Sequence, residues 1–146
     1  MADLPDVMIV MSDSFEPEFG EAWTEAQCAG VLGLPGCSLL LAREDGHAAG
    51  FAMLRSGGGE AELLLIAVRR DHRRRGIATA LLKQATDDAR AGGIDKLHLE
   101  VRDGNPALEL YRAAAFVQVG RRLAYYRGRS GKVFDALTLK LHLCAN

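Results

Sequence analysis

Net charge, cysteine and long apolar runs are all scarce in this chain of 146 residues. Its 18 lysines and arginines nearly balance 19 aspartates and glutamates, leaving a formal charge of −1. Nucleic-acid binders normally present a broad basic face, so that class is disfavoured. The three cysteines, Cys28, Cys37 and Cys144, are odd in number and lack metal-ligand spacing. They read as reduced thiols of an intracellular protein, and no metal is expected. No apolar stretch reaches the roughly 20 residues that span a bilayer, so no membrane partner is expected. The acidic segment from Met1 to Asp6 has no secretory apolar core, which points to the cytoplasm. Repeats, linkers and low-complexity segments are absent too. One domain over residues 1–146 is expected, burying about two-thirds of the unfolded chain's surface.

What is present is concentrated in one place. Five arginines, Arg69, Arg70, Arg73, Arg74 and Arg75, fall within seven residues, followed by Gly76, Ile77, Ala78 and Thr79. The cluster follows an apolar run ending in Ile66, Ala67 and Val68 and opens into an amphipathic segment with Ile77, Leu81, Ala85 and Ala89 on one face. A strand, a basic loop with glycine and a helix N-terminus form a phosphate cradle. Free first-turn N–H groups and the helix dipole favour an anion, arginines add charge-assisted hydrogen bonds, and Gly76 removes a Cβ from the approach. Without an anion, so many like charges would only repel one another.

The remaining pattern predicts a layered α/β chain. Val7 to Met11 reads as a first strand, and Phe15 to Val31 as one or two short helices stopped by Gly33, Pro35 and Gly36. Ser38–Arg43 and His47–Arg55 read as a hairpin around Glu44-Asp45-Gly46, and Ala61–Val68 as a doubly covered central strand. Gly92-Gly93 ends the helix that begins after Gly76. In Lys96–Val101, Leu97, Leu99 and Val101 alternate with Lys96, His98 and Glu100. Asn105 as N-cap and Pro106 at the first position start a helix to Ala114, and strands Val117–Tyr126 and Val133–Leu143 close the chain. The predicted order is β-α-β-β-β-α-β-α-β-β, with helices flanking a sheet.

Several of these residues carry a resemblance. Arg73-x-x-Gly76-x-Ala78 after an apolar strand resembles the acetyl-CoA motif of the GNAT superfamily of N-acetyltransferases. Leu99-Glu100-Val101-Arg102, Asn105, Leu110-Tyr111 and Phe116 are similar to the signature of its RimI-type ribosomal-protein alanine N-acetyltransferases. Ala22-Trp23-Thr24-Glu25, and Arg121-Arg122 with Tyr125-Tyr126 and Asp135-Ala136, extend the resemblance along most of the chain. There are departures from the pattern. Glu100 and Tyr111 stand one residue closer than usual, Ala115 occupies a usual glycine position, and Phe134 replaces an acidic residue.

The resemblance implies a mixed, mostly antiparallel sheet flanked by helices, with a V-shaped splay between two central strands. It implies acetyl-CoA as co-substrate, held by Ile66, Ala67, Val68, Arg73, Arg74, Arg75, Gly76, Ile77, Ala78 and Thr79, with Asn105 at the pantetheine arm or simply capping its helix. Glu100 is implied as general base, with His98, roughly 6–7 Å along the same strand face, as the alternative. Tyr111 is implied as the acid that returns a proton to the thiolate. Trp23, Glu25 and Tyr125 would line the groove of the acceptor, a protein or peptide N-terminus and most specifically that of a ribosomal protein. Because strand neighbours point to opposite faces, one of Tyr125 and Tyr126 is expected to be structural. Other acceptors, namely lysine side chains and small amines, share the scaffold. Two other classes compete: a non-catalytic acyl-CoA-binding module and a nucleic-acid binder using the arginine loop.

Overall fold

The computed structural model describes residues 3–143. Its helices are α1 (Leu4–Ser14), α2 (Glu25–Leu32), α3 (Ile77–Ala91) and α4 (Ala107–Ala113). Its strands are β1 (Cys37–Glu44), β2 (His47–Gly57), β3 (Glu60–Val68), β4 (Lys96–Arg102), β5 (Val117–Arg127) and β6 (Val133–His142). Short 3-10 turns occupy Pro17–Phe19 and Arg70–His72. The six strands form one sheet in the order β1-β2-β3-β4-β6-β5. Only β3 and β4 run parallel; the other neighbours are antiparallel. The α/β class and the mostly antiparallel sheet are as expected.

The first strand is a correction. Val7 to Met11 lies inside helix α1, which buries Val7, Val10, Met11 and Ser14. A short apolar run does not distinguish strand from buried helix. The three- and four-residue spacing appears only when the window extends to Ser14, and Pro5 in the first turn is a helix-start signal. Helix α2 opens on a reciprocal capping box between Thr24 and Gln27. Burial raises the thiol pKa of both Cys28 and Cys37, which carry no disulfide among the described residues. Cys144 lies outside the described residues.

The core has two parts, one on each face of the sheet. Val7, Val10 and Met11 of α1 and Cys28 of α2 pack against Phe51 and Met53 of β2. Leu81, Leu82 and Ala85 of α3 and Leu108 and Tyr111 of α4 pack against Ala52, Leu54, Leu97 and Leu99 on the other face. Strand β2 is therefore buried continuously from Ala48 to Leu54, as befits a strand covered on both faces.

What positions the site is the limited pairing of β3 with β4. Their register runs from Glu60↔Lys96 to Leu63↔Leu99 and stops. Beyond it β3 stays with β2 as far as Val68, and β4 stays with β6 as far as Arg102, so the two strands part. At the far wall, α4 starts one residue later than expected, with Pro106 as N-cap; Asn105 still caps it, its Oδ1 accepting the Ala107 N–H at 2.8 Å.

The end of α4 is closed by a left-handed cap. Ala115 (φ 75°) follows the C-cap residue, its N–H donates to the Arg112 carbonyl, and the Phe116 N–H donates to the Tyr111 carbonyl. The Tyr111 and Phe116 rings meet edge to face at 5.8 Å, the apolar contact that accompanies such a cap. This explains why glycine is the usual occupant: alanine is strained at this φ. Ala115→Gly is expected to stabilise the protein by about 1 kcal/mol, checked by urea denaturation of both forms.

Candidate active site

Where β3 and β4 part, a cleft of about 760 Å³ opens, with Leu64–Val68 on one wall and Leu99–Arg102 on the other. Asn105, Leu110 and Tyr111 close one end, and Phe19, Trp23, Tyr125 and Tyr126 border it. The β4-facing backbone groups of Leu64–Ala67 have no strand partner among the described residues. Such groups stay solvated or bind an extended ligand.

The basic loop lies at the Val68 end. Gly76 (φ 76°) is the N-cap of α3, with no side-chain cap, and Arg74 is also left-handed (φ 65°). The N–H groups of Ile77, Ala78 and Thr79 have no acceptor among the described residues. They border a hollow of about 170 Å³ lined by His72, Arg73, Arg74 and Gly76. The arginines divide in a way the sequence did not reveal. Arg73 turns inward, donating from Nη2 to the Ser14 carbonyl (2.7 Å) and from Nε to the Val68 carbonyl (3.3 Å). It thereby ties the end of α1 to the end of β3. Arg75 faces Glu44 at 3.4 Å and Arg69 faces Asp13 at 4.0 Å. The Arg70 and Arg74 side chains have no acidic partner among the described residues.

Glu100 and Tyr111 border the same cleft from β4 and α4. The Glu100 side chain is 11% exposed. The Thr138 hydroxyl donates to its Oε2 at 3.2 Å and Arg122 Nε forms an ion pair with the same oxygen at 2.8 Å, leaving Oε1 without a protein donor among the described residues. Burial, then the neighbouring Tyr126 and the Glu21 carboxylate, hold the Tyr111 hydroxyl well above the ordinary tyrosine pKa. His98 lies outside the cleft lining, with Nε2 3.9 Å from Glu62 Oε1.

The residues expected to line the acceptor groove fall out unevenly. Trp23 is half-buried and lines the cleft. Glu25 sits exposed in the first turn of α2, outside the lining, because helix α2 points it to solvent. Tyr125 and Tyr126 both line the cleft, their rings 5.0 Å apart and nearly perpendicular. The expected placement of the two on opposite faces fails, because the strand is bulged there and alternation is broken; the Tyr126 hydroxyl donates to the Glu100 carbonyl at 3.5 Å.

Glu21 and Phe19 were missed. Glu21 Oε1 lies 3.3 Å from Arg102 Nε, an ion pair without hydrogen-bond alignment, and both side chains are at most 10% exposed. Its Oε2 accepts from Asn105 Nδ2 at 2.8 Å. The Arg102 guanidinium stacks 3.7 Å above Phe19, whose ring meets Phe134 edge-on at 5.3 Å. Phe134 thus forms one side of a cation–π platform. The loop that carries Glu21 and Phe19 has no periodicity, and only the adjacent Trp23 motif signalled the region.

Residues 4–116 match the acetyltransferase (GNAT) family. Mycothiol acetyltransferase of Clavibacter michiganensis subsp. michiganensis is 44% identical over 91 residues, 61% of this chain but only 30% of that protein. The chain thus spans less than a third of the length of that relative. The N-alpha-acetyltransferase RimI of Mycobacterium tuberculosis is 36% identical over 125 residues, 82% of this chain and 75% of that one. The crystal structure of the ribosomal-protein-S18-alanine N-acetyltransferase from Escherichia coli superposes with a TM-score of 0.89 at 29% identity, covering 100% of this chain and 91% of the other.

The inward Arg73 yields a stability prediction. Arg73→Met leaves the Val68 and Ser14 carbonyls without their charged donor and is expected to cost about 1.5–3 kcal/mol of unfolding free energy with no ligand added. An arginine that only waits for phosphate would give an unchanged urea midpoint.

Proposed function

The chain belongs to the acetyltransferase (GNAT) family, and on that premise we propose that it moves the acetyl group of acetyl-CoA to the N-terminal α-amine of a protein. The observation that carries this reading is the convergence of a half-engaged carboxylate, Glu100, and a proton-holding phenol, Tyr111, on one cleft beside free helix-terminal N–H groups.

Acetyl-CoA fits the residues present. Its pyrophosphate suits the unpaired N–H groups of Ile77, Ala78 and Thr79 at the start of a 15-residue helix, with Gly76 leaving the approach open and Arg74 nearby. The pantetheine arm suits the unpaired β3 backbone along Ile66 and Ala67, with Val68 at its end. Asn105 Nδ2 spends one hydrogen on Glu21 and keeps a second for the arm. Arg73 and Arg75 support the loop, the one through two backbone carbonyls and the other through Glu44. When bound, acetyl-CoA supplies an acetyl group activated as a thioester.

The protein's own residues then have proton work. Glu100 Oε1 takes a proton from the acceptor amine while Arg122 and Thr138 fix Oε2. An α-amine with a pKa of about 7.7–8.0 needs little help near neutral pH. The Tyr111 hydroxyl, kept neutral by burial, gives a proton to the departing sulfur. Holding both partners side by side supplies much of the acceleration. On the acceptor side, Trp23, Tyr125 and Tyr126 offer aromatic surface, and Glu16, Glu62 and Glu100 favour approach of a cationic amine. The RimI and S18-alanine enzymes support the α-amine of a ribosomal protein as acceptor. The cytoplasm is the proposed compartment, where thiols such as those of Cys28 and Cys37 stay reduced, and residues 1–146 would act as one domain.

N-terminal and lysine peptides incubated with acetyl-CoA and read by mass spectrometry test the acceptor. Acetylation of α-amines is expected; modification of lysine or small amines alone would overturn that choice. Tyr111→Phe and Glu100→Gln are each expected to lower kcat about 10²–10⁴-fold while acetyl-CoA still binds. Binding of acetyl-CoA without turnover by the unaltered protein would instead support a non-catalytic module.

The raised pKa of Tyr111 sets a pH expectation. The phenol keeps its proton above the ordinary value of about 10, so kcat shows no loss from Tyr111 ionisation up to that pH. A basic limb near pH 9 that disappears in Tyr111→Phe would contradict this.

A further inference from the structure

We propose that Asp135 is a positioning residue for acceptor binding, holding a bulge in β5 that turns Tyr125 into the cleft beside Tyr126. The inference rests on the reading of the cleft as an amine-acceptor site. Its basis is the register of the last hairpin. Arg122 pairs with Ala136 and Tyr126 with Phe134, so Leu123, Ala124 and Tyr125 together stand opposite the single residue Asp135. An evenly paired strand would send Tyr125 and Tyr126 to opposite faces. Here both border the cleft, with rings 5.0 Å apart.

The bulge is not a comfortable backbone. Ala124 is left-handed (φ 51°), a conformation that costs an alanine energy and persists only when its surroundings impose it. Asp135 supplies that imposition with both oxygens. Oδ1 accepts the Ala124 N–H at 2.9 Å, and Oδ2 accepts from Arg121 Nη1 at 2.9 Å. The same Arg121 nitrogen donates to Asp103 Oδ2 at 2.8 Å, and the Asp103 N–H donates to the Asp135 carbonyl at 2.9 Å. The bulge is thereby anchored to the turn between β4 and α4, the turn that also presents Asn105 and leads to Tyr111. Arg121, the tyrosine pair and Asp135 form one unit: Arg121 and Asp135 shape the backbone, and the tyrosines are what it presents.

Three variants test this. Asp135→Ala removes both acceptors at a partly exposed site. Deleting Leu123 and Ala124 restores one-for-one pairing and places Tyr125 opposite Asp135. Asp135→Asn keeps one oxygen to accept the Ala124 N–H. The first two are expected to raise KM for the acceptor peptide about tenfold or more with KM for acetyl-CoA unchanged, and Asp135→Asn to recover most of that loss. In NMR spectra the Tyr125–Tyr126 ring contact should vanish in the first two and survive in Asp135→Asn. An acceptor KM within about twofold of the unaltered protein in Asp135→Ala, or equal rises for both substrates, overturns the proposal. So does a ring contact that persists in Asp135→Ala and in the deletion. If the unaltered protein acetylates no amine, the functional reading fails while the ring contact still decides the role of Asp135.

Discussion

The parting of β3 and β4 after Leu63 and Leu99 is the constraint from which the rest follows. Parallel pairing that continued to Val68 and Arg102 would close the cleft and satisfy the backbone groups that now line it. Each strand can leave its neighbour because it has another: β3 keeps β2, and β4 keeps β6. The opening therefore needs no unsatisfied strand on its outer sides. It is also braced at its rim, where Arg73 bonds the last carbonyl of β3 and the last residue of α1. The phosphate-type loop is thus a continuation of the sheet's anchoring.

The proposed acid and base are held by different kinds of force. Glu100 is set by charge and hydrogen bonding from β5 and β6, through Arg122 and Thr138. Tyr111 is set by backbone geometry, since the carbonyl of the same residue accepts the hydrogen bond that closes α4 and its ring rests on Phe116. The turn at Asp103–Pro106, which lies between Glu100 and Tyr111, is tied down by Asn105 and Glu21. Burial does the remaining work at Tyr111 by disfavouring its charged form.

Much of this was legible in the sequence because it depends on local pattern. Alternation gave β4 and β6, spacing of four gave α3, and glycines marked its start and stop. The loop at Arg69–Arg75 announced itself by composition, but not the division of labour among its arginines, which depends on Ser14, Asp13 and Glu44 from distant segments. Helix α1 was misread because its β-branched run is short and its period emerges only across its full length. Glu21 was invisible since its partners, Arg102 and Asn105, lie some 80 residues on. Tyr126 was left out of the cleft lining for a related reason: the alternation rule assumes even pairing, and the three-against-one mismatch is a property of two strands together.

Strand β5 is one edge of the sheet, and it exposes Val117, Val119 and Leu123. A long flat edge of that composition is a template on which another chain can add strand by strand. This one is neither flat nor uncharged. Its pairing slips once between Gln118 and Gly120 and again between Arg122 and Tyr126, and it carries Arg121, Arg122 and Arg127. The same irregularity that brings two tyrosines to the cleft interrupts the straight run of free backbone groups that a second copy would need. Solubility at this edge and the shape of the cleft mouth are therefore coupled, and a change that smooths the strand trades one against the other.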